Sequence, residues 1–506
     1  MKKKHLLRRG FVSSIYNYIG KIVENIFIFL TSIYIIKFLS VEEYGIYNIL
    51  AATLMIALNL HFGIPQIINR FAPELIETQK WRAYRKLIRW SLLLRLLTGL
   101  IIAGTLVIFI EKFMTTFKIP SNFLVYIYLF CFLIIIKLQS SLLEYFMDTL
   151  LDYGFKSAFF TVYSVIRFLL FYYVLSKKFQ LVGVVWAWII SESLLFIFLA
   201  VRNINLLAPL FSKAQKDSGQ NQLAFRRVAR YGSLYFLSGM GGYVLSNSTD
   251  KYFISAFSDN IQVGLYSFGA RLVTLASRIN PIMFVESIIT TLLVRDYSSE
   301  ENKSNLLYAF HLYNKLTFFF GLPIYLGLCL YGDKIVLFLF DKPEYLEAVP
   351  IIWGWAFIDF FSMLAIVVIP FISILERTEI MTFSLVFAVL NIVLFIILIP
   401  KIGIYGAVLA TGLSQISAFY FRLALLKRYL VVTYPWKCIV KIGINIVIFG
   451  TAAYFFRSLV KNIISLILVS SSMGVFYFFL SYVHKVFDPK DRDVLNKAIG
   501  KKLFVF

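Results

Sequence analysis

Stretches of about twenty mostly apolar residues recur from one end of this chain to the other, and they constrain its fold more than any other feature. A helix needs roughly that length to cross the ~30 Å hydrocarbon layer of a bilayer. Inside that layer only helices and closed barrels satisfy their own backbone groups. The short alternating segments of a transmembrane β-barrel are not seen. Composition agrees: 60% of the residues are hydrophobic and 15% charged, against roughly 25% charged in a soluble domain. The expected fold class is therefore all-α and integral to the membrane. The N-terminal MKKKHLLRRG leads into an apolar run reaching about Phe38. That run outlasts a signal peptide's apolar region of about 7–15 residues, and no small-residue cleavage site follows, so it is read as a retained first span.

The apolar segments read as fourteen spans: 15–38, 44–66, 88–110, 120–142, 153–176, 180–201, 229–249, 262–292, 308–330, 348–370, 379–400, 404–426, 439–457 and 463–484. An even number places both termini on one side. The net charge of +23 is carried mostly by clusters on that side: KKKHLLRR at the start, RAYRKLIR at 82–89, RRVAR at 226–230, KR at 427–428, and the tail beyond His484. This is the positive-inside pattern, so both ends are expected in the cytoplasm. Attraction to anionic headgroups accounts for the excess charge, and nucleic acid is not an expected partner. No segment between spans is long enough to fold as a catalytic domain, and no G-x-x-x-x-G-K-[ST] sequence is present. Cys131, Cys329 and Cys438 show neither metal spacing nor a disulfide framework, so no metal or cofactor is expected. In the tail, Asp488 as cap, Pro489 in the first turn and Gly500 past the end predict a short cytoplasmic helix.

The chain also repeats itself. Gly45-Ile46-Tyr47 and Gly264-Leu265-Tyr266 each follow a polar stretch begun by a serine, Ser40 or Ser258, and each leads into an apolar run. A second pair lies in LVGVVWAWIISE (181–192) and IYGAVLATGLSQ (404–415), where Gly183 aligns with Gly406, Ala187 with Ala410 and Ser191 with Ser414. The glycine offsets are 219 and 223 residues. Two motifs in the same order at nearly one offset indicate a duplication. Spans 1–6 and 7–12 are then parallel repeats, and spans 13–14 an addition. The expected divisions are a six-helix lobe over 1–208, a cytoplasmic linker over 209–228, a second six-helix lobe over 229–430, and helices 13–14 with the tail over 431–506. This is the plan of transporters that rock two bundles about a central site.

Several blocks resemble a known family. TDKYFISAFSDNIQVGLYSFGARL (249–272), LIPKIGIYGAVLATGLSQ (398–415), YGDKIVLFLFDKPEYLEAVPIIW (331–353), LSVEEYGIYNIL and GIPQIINRFAPE resemble polysaccharide transporters of the multidrug/oligosaccharidyl-lipid/polysaccharide (MOP) exporter superfamily, in its Wzx-type flippase branch. The resemblance implies two pseudo-symmetric six-helix lobes facing each other across a polar cavity. It implies translocation of an undecaprenyl- or dolichyl-type diphosphate-linked oligosaccharide from the cytoplasmic to the outer leaflet of the cell membrane. The product would feed O-antigen, capsule or other glycan assembly. The alternatives are a lipid II flippase or a cation-coupled multidrug exporter of the same superfamily. Either way the chain reads as a transporter and not an enzyme, with a proton or sodium ion as a candidate coupling partner.

A diphosphate needs positive charge in its cavity, and ionisable residues inside spans usually face a cavity or a partner. The candidates are Lys21 and Glu24 in span 1, Arg95 in span 3, Lys137 in span 4, Arg167 in span 5 and Glu192 in span 6. Span 8 holds Arg271, Arg278 and Glu286, span 9 Lys315 and span 10 Asp359. Arg271 and Arg278 are two turns apart and share a face. They are the leading cavity residues, with Lys21, Arg70, Lys137 and Arg95 as further ones. Glu24, Glu286 and Asp359 are candidate coupling or partner acids. Lys21 and Glu24 read equally well as neutralising each other; Arg95, Arg167 and Lys137 as snorkelling from span ends; and Lys315 is read mainly as snorkelling. Pro281 in span 8 and Pro65 in span 2 are the expected kinks, the latter within a stretch that also holds Asn59, His61 and Gly63.

Overall fold

The computed structural model describes residues 20–506 except 21, 151, 217–224, 281–302, 375, 376, 378, 430–432 and 500–503. Among the described residues the regular structure is entirely helical, and ten helical stretches are long and apolar enough to cross a membrane. The chain divides into two compact units, residues 1–264 and 265–506.

The first unit begins with α1 (22–38), α2 (Val41–Asn59), α3 (Ile64–Glu77), α4 (Trp81–Ile108) and α5 (Ile110–Thr116). It continues with α6 (Leu124–Thr149), α7 (Tyr153–Ser176), α8 (Gln180–Lys216), α9 (Phe225–Val244) and α10 (Asn247–Phe257), and takes in the start of α11 (Asn260–Ile279). Helix α2 starts where it does because Ser40 and Glu43 form a reciprocal capping box: the Ser40 hydroxyl accepts from the Glu43 amide at 3.2 Å, and the Glu43 carboxylate accepts from the Ser40 amide at 3.0 Å. Helix α11 has the matching device, with the Asp259 carboxylate accepting from the Gln262 amide at 2.8 Å. The first repeat motif therefore sits at the same place on two capped helices. Its two copies touch. A Cβ on Gly45 would overlap the Asn260 carbonyl oxygen, and a Cβ on Gly264 would overlap that of Val41. Glycine at both positions lets the two backbones meet, as small residues do where membrane helices cross closely.

The second repeat motif works differently. Helices α7 and α8 are joined by a tight turn in which Lys178 and Gln180 have positive φ. A Cβ on Gly183 would stand 2.6 Å from the Phe179 Cβ and 3.0 Å from the Val174 Cβ, so glycine lets the new helix lie against the end of the old one. Gly406 does the same in the second unit, where a Cβ would collide with the Leu398 carbonyl. Each copy of this motif closes its own helical hairpin.

Between α2 and α3 the helix is interrupted. Gly63 takes a left-handed conformation at φ 71° and lies so close to Gly232 of α9 that a Cβ would strike the Gly232 carbonyl. Both demands exclude any larger residue. Pro65 falls in the first turn of α3, where its missing amide costs nothing, so it starts a helix and does not kink one. Ile68, Phe71, Tyr84, Phe146, Met147 and Leu199 form the heart of the apolar core among α3, α4, α6 and α8.

The second unit takes the rest of α11, then α12 (Lys303–Ile335), α13 (Val349–Ile374), α14 (Glu379–Phe383) and α15 (Val386–Leu426). It closes with α16 (Trp436–Phe456), α17 (Ile463–Val483) and α18 (Pro489–Ile499). Helix α15 is two helices in one: Ile402 and Gly403 leave helical geometry at the turn between them. Helix α18 is the tail helix expected from its capping residues. It is tied to α12 through Lys315, whose ammonium donates to Asp488 at 2.9 Å and to Asp491 at 2.6 Å. Lys315 is thus held by the tail and does not snorkel: its side chain is only 8% exposed. The hydrogen bond from Lys315 holds the Asp488 carboxyl below the usual carboxylate range. Phe319 of α12 gathers Tyr477, Phe487, Phe504 and Phe506 around it, so the last residues of the chain pack on the same helix.

Candidate functional site

In the first unit the interruption after α2 leaves carbonyl groups without helical partners. Arg95 of α4 supplies them. Its guanidinium donates to the carbonyls of Leu58 at 3.2 Å and Leu60 at 3.4 Å, and to Leu138 of α6 at 3.4 Å. The side chain is buried, at 3% exposure, so it reaches no headgroup. A cation at a helix C-terminus is favoured by the helix dipole. Beside it, the His61 Nδ1 accepts from the Gly63 amide at 3.0 Å, which closes the turn from within. The interruption is thus a built feature with a charged brace.

A second group lies among α6, α7 and α8. Glu192 is 1% exposed and receives the Lys137 ammonium on both oxygens, at 3.0 and 3.2 Å. Arg167 stands 3.8 Å from the same carboxylate, and the Tyr163 hydroxyl donates to it at 3.3 Å. Further along these helices Lys156 pairs with Asp148 and Arg202 with Asp152, each at 2.8 Å. A basic excess in the sequence therefore becomes, at this place, a set of matched pairs. Lys137 and Arg167 remain partly open, at 21% and 29%, while the acid between them is sealed.

In the second unit α11 runs with residues 265–270, 272, 273 and 275 buried. Arg271, Thr274, Ala276, Ser277 and Arg278 form the part of it that stays open, with Arg278 the most exposed. Ser277 donates to Asp359 of α13, and the Tyr325 hydroxyl of α12 donates to the same oxygen at 2.6 Å. Ser277 and Tyr325 also meet each other at 3.3 Å. Asp359 is thus gripped by hydroxyls from two neighbouring helices. Among the described residues no lysine or arginine pairs with it.

The remaining candidates divide. Arg70 is exposed on α3, paired with Glu74 at 3.1 Å one turn on. Glu24 lies half-buried on α1. Lys21, Pro281 and Glu286 lie outside the described residues. Sequence reasoning did not find Tyr163, Ser277 or Tyr325 as partners of the acids. Tyrosine and serine occur in most spans, so no local signal marks them out.

The helices and their charges define a multi-pass helical membrane protein with polar groups held between spans. The chain matches the polysaccharide biosynthesis protein family over residues 12–292, more than half of its length, and it belongs to that family. In fold it is similar to the lipid II flippase MurJ in an inward closed conformation, at TM-score 0.67 and 17% identity, over 93% of this chain and 99% of that one. It is also similar to an inward-facing multidrug resistance MATE family transporter of the MOP superfamily, at TM-score 0.64 and 14% identity, over 80% of this chain and 96% of that one. An outward-facing structure of that description matches at TM-score 0.55 and 15% identity, over 82% and 95%. No curated protein matches the chain.

Proposed function

We propose that this protein is a flippase that carries an isoprenoid-diphosphate-linked oligosaccharide from the cytoplasmic to the outer leaflet by alternating access. It would act in the cell membrane with fourteen spans, two six-helix lobes and both termini cytoplasmic. The observation that carries this reading is the open polar strip on α11. A helix buried on its other faces keeps Arg271 and Arg278 partly accessible two turns apart, on the strip from which Ser277 donates to Asp359. Two guanidinium groups at that spacing suit a diphosphate, since arginine recognises phosphate through paired hydrogen bonds. Asp359, held by hydroxyls, is the acid to which a proton or sodium ion would couple. Membership of the polysaccharide biosynthesis family supports a carbohydrate cargo.

The test is translocation in liposomes. Purified protein is reconstituted with a fluorescent isoprenoid-diphosphate oligosaccharide in one leaflet, and its arrival in the other is followed with and without an imposed gradient. Protein-dependent transfer is expected. It falls at least tenfold in the Arg271→Ala/Arg278→Ala double variant while the folded yield stays the same. Undiminished transfer by that variant removes the diphosphate assignment, and export of organic cations in place of the lipid gives the multidrug reading. A lipid II flippase is the second reading, favoured by the similarity in fold to MurJ. Lipid II offered as a competitor separates the two.

A further inference from the structure

A groove of about 710 Å3 runs between α4, α6 and α8 on the first unit. Its walls include Leu92, Leu96, Leu143, Phe146 and Ile204. Leu96 and Ile204 are 38% and 65% exposed, and in a membrane protein such residues face lipid. The groove therefore opens sideways into the bilayer. Its size falls in the range that holds a small organic ligand, about 300–1,000 Å3.

Besides Gln139, whose amide nitrogen donates to the Leu92 carbonyl at 3.3 Å, two polar features break this apolar lining. Asn203 of α8 is only 2% exposed. Its amide nitrogen donates to the carbonyls of Leu143 at 3.1 Å and Leu199 at 2.9 Å, which fixes the side chain, while its Oδ1 is buried with no hydrogen-bond partner. A buried acceptor held in place without a donor is costly unless a donor arrives. The second feature is basic. Arg89 lines the groove, and the Arg85 guanidinium lies 5.5 Å from the ring of Phe211, another wall residue, with its Nε buried and without a partner. Neither arginine pairs with a carboxylate among the described residues.

From this we infer that the groove is a binding site for an anionic phospholipid of the leaflet into which the basic segment 82–89 projects, the cytoplasmic one by the positive-inside rule. The acyl chains lie along the apolar wall, the phosphate meets Arg85 and Arg89, and a headgroup or glycerol hydroxyl donates to Asn203 Oδ1. Phosphate cannot fill the last role, because it presents only acceptors there. Charge sets this occupant apart from a zwitterionic lipid, and the hydroxyl donor sets it apart from a bare isoprenoid phosphate.

The test is native mass spectrometry of the full-length protein taken from mixed vesicles of phosphatidylglycerol, phosphatidylethanolamine, phosphatidylcholine and undecaprenyl phosphate. Selective retention of phosphatidylglycerol is expected. It drops about tenfold in Arg85→Gln/Arg89→Gln, which removes the charge, and also in Ala200→Phe, which fills the groove. A size-exclusion profile matching the unmodified chain shows that each variant is folded, and one folded variant suffices. Equal retention of the zwitterionic lipids, preference for undecaprenyl phosphate, or undiminished retention in a folded variant overturns the assignment.

Discussion

Glu192 and Asp359 are both carboxylates inside helical layers, and the chain treats them in opposite ways. Glu192 has a cation on one side at 3.0 Å, another at 3.8 Å and a phenol at 3.3 Å. Asp359 has two hydroxyls and, among the described residues, no cation. An ion withdrawn from water costs several kcal/mol unless opposite charge and hydrogen bonds offset it. In the first unit Lys137 and Arg167 provide that offset, and Glu192 is held in place between them. In the second unit the hydroxyls offer hydrogen bonds without charge, and among the described residues no cation stands beside the carboxylate. One site is a fastener and the other is adjustable. The alternating-access cycle proposed above would draw on both, with rigid bundles that move as bodies and a group whose state can change.

The comparison can be broken most severely at Glu192. Glu192→Ala removes the carboxylate that Lys137 and Arg167 share and should cost about 3–5 kcal/mol. Thermal unfolding in detergent reads this as a large drop in melting temperature. Tyr325→Phe removes one of the two hydroxyls from Asp359. A hydrogen bond to a charged group contributes about 1.5–3 kcal/mol, one to a neutral group about 0.5–1.5. A loss of about 0.5–3 kcal/mol is expected in the same unfolding assay, the upper half of that range marking an ionised carboxylate and the lower half a protonated one. Asp359→Asn keeps the acceptor for both hydroxyls, so its stability cost should stay below about 1 kcal/mol. Its signature is functional: transport in liposomes should continue down the substrate gradient and lose its response to an imposed ion gradient. Arg70→Ala is the control, since an exposed pair one helical turn apart is worth only about 0.3–0.5 kcal/mol. A larger shift there would mean that charge pairs in general dominate stability, and the contrast between the two carboxylates would lose its meaning.

Much of this architecture was legible in the residues. The apolar stretches mark the helices because hydropathy is a property of each segment alone. The tail helix follows from Asp488 and Pro489, and α2 begins at a serine with a glutamate three residues on, because capping is settled within one turn. The interruption at Leu60–Gly63 was announced by glycine and proline. The paired motifs, too, were legible, since Gly45 and Gly264 stand in matching contexts. The reason for each glycine was not plain. One pair meets across two helices and the other closes two separate hairpins, and nothing in the local sequence distinguishes those uses.

The sequence by itself determined that the chain is built of apolar helices, where the capped ones start, and that it carries more cations than acids. Only the tertiary structure decided what each charge does. Lys137 goes to Glu192, 55 residues away, Lys315 to Asp491, 176 residues away, and Arg95 to backbone carbonyls at a helix end. The reason is physical. Helix formation is governed by neighbours along the chain, while an ion pair is governed by neighbours in space. Which helix stands beside which is a product of packing, and it is there that a candidate ligand for phosphate becomes a brace, a fastener or an open site.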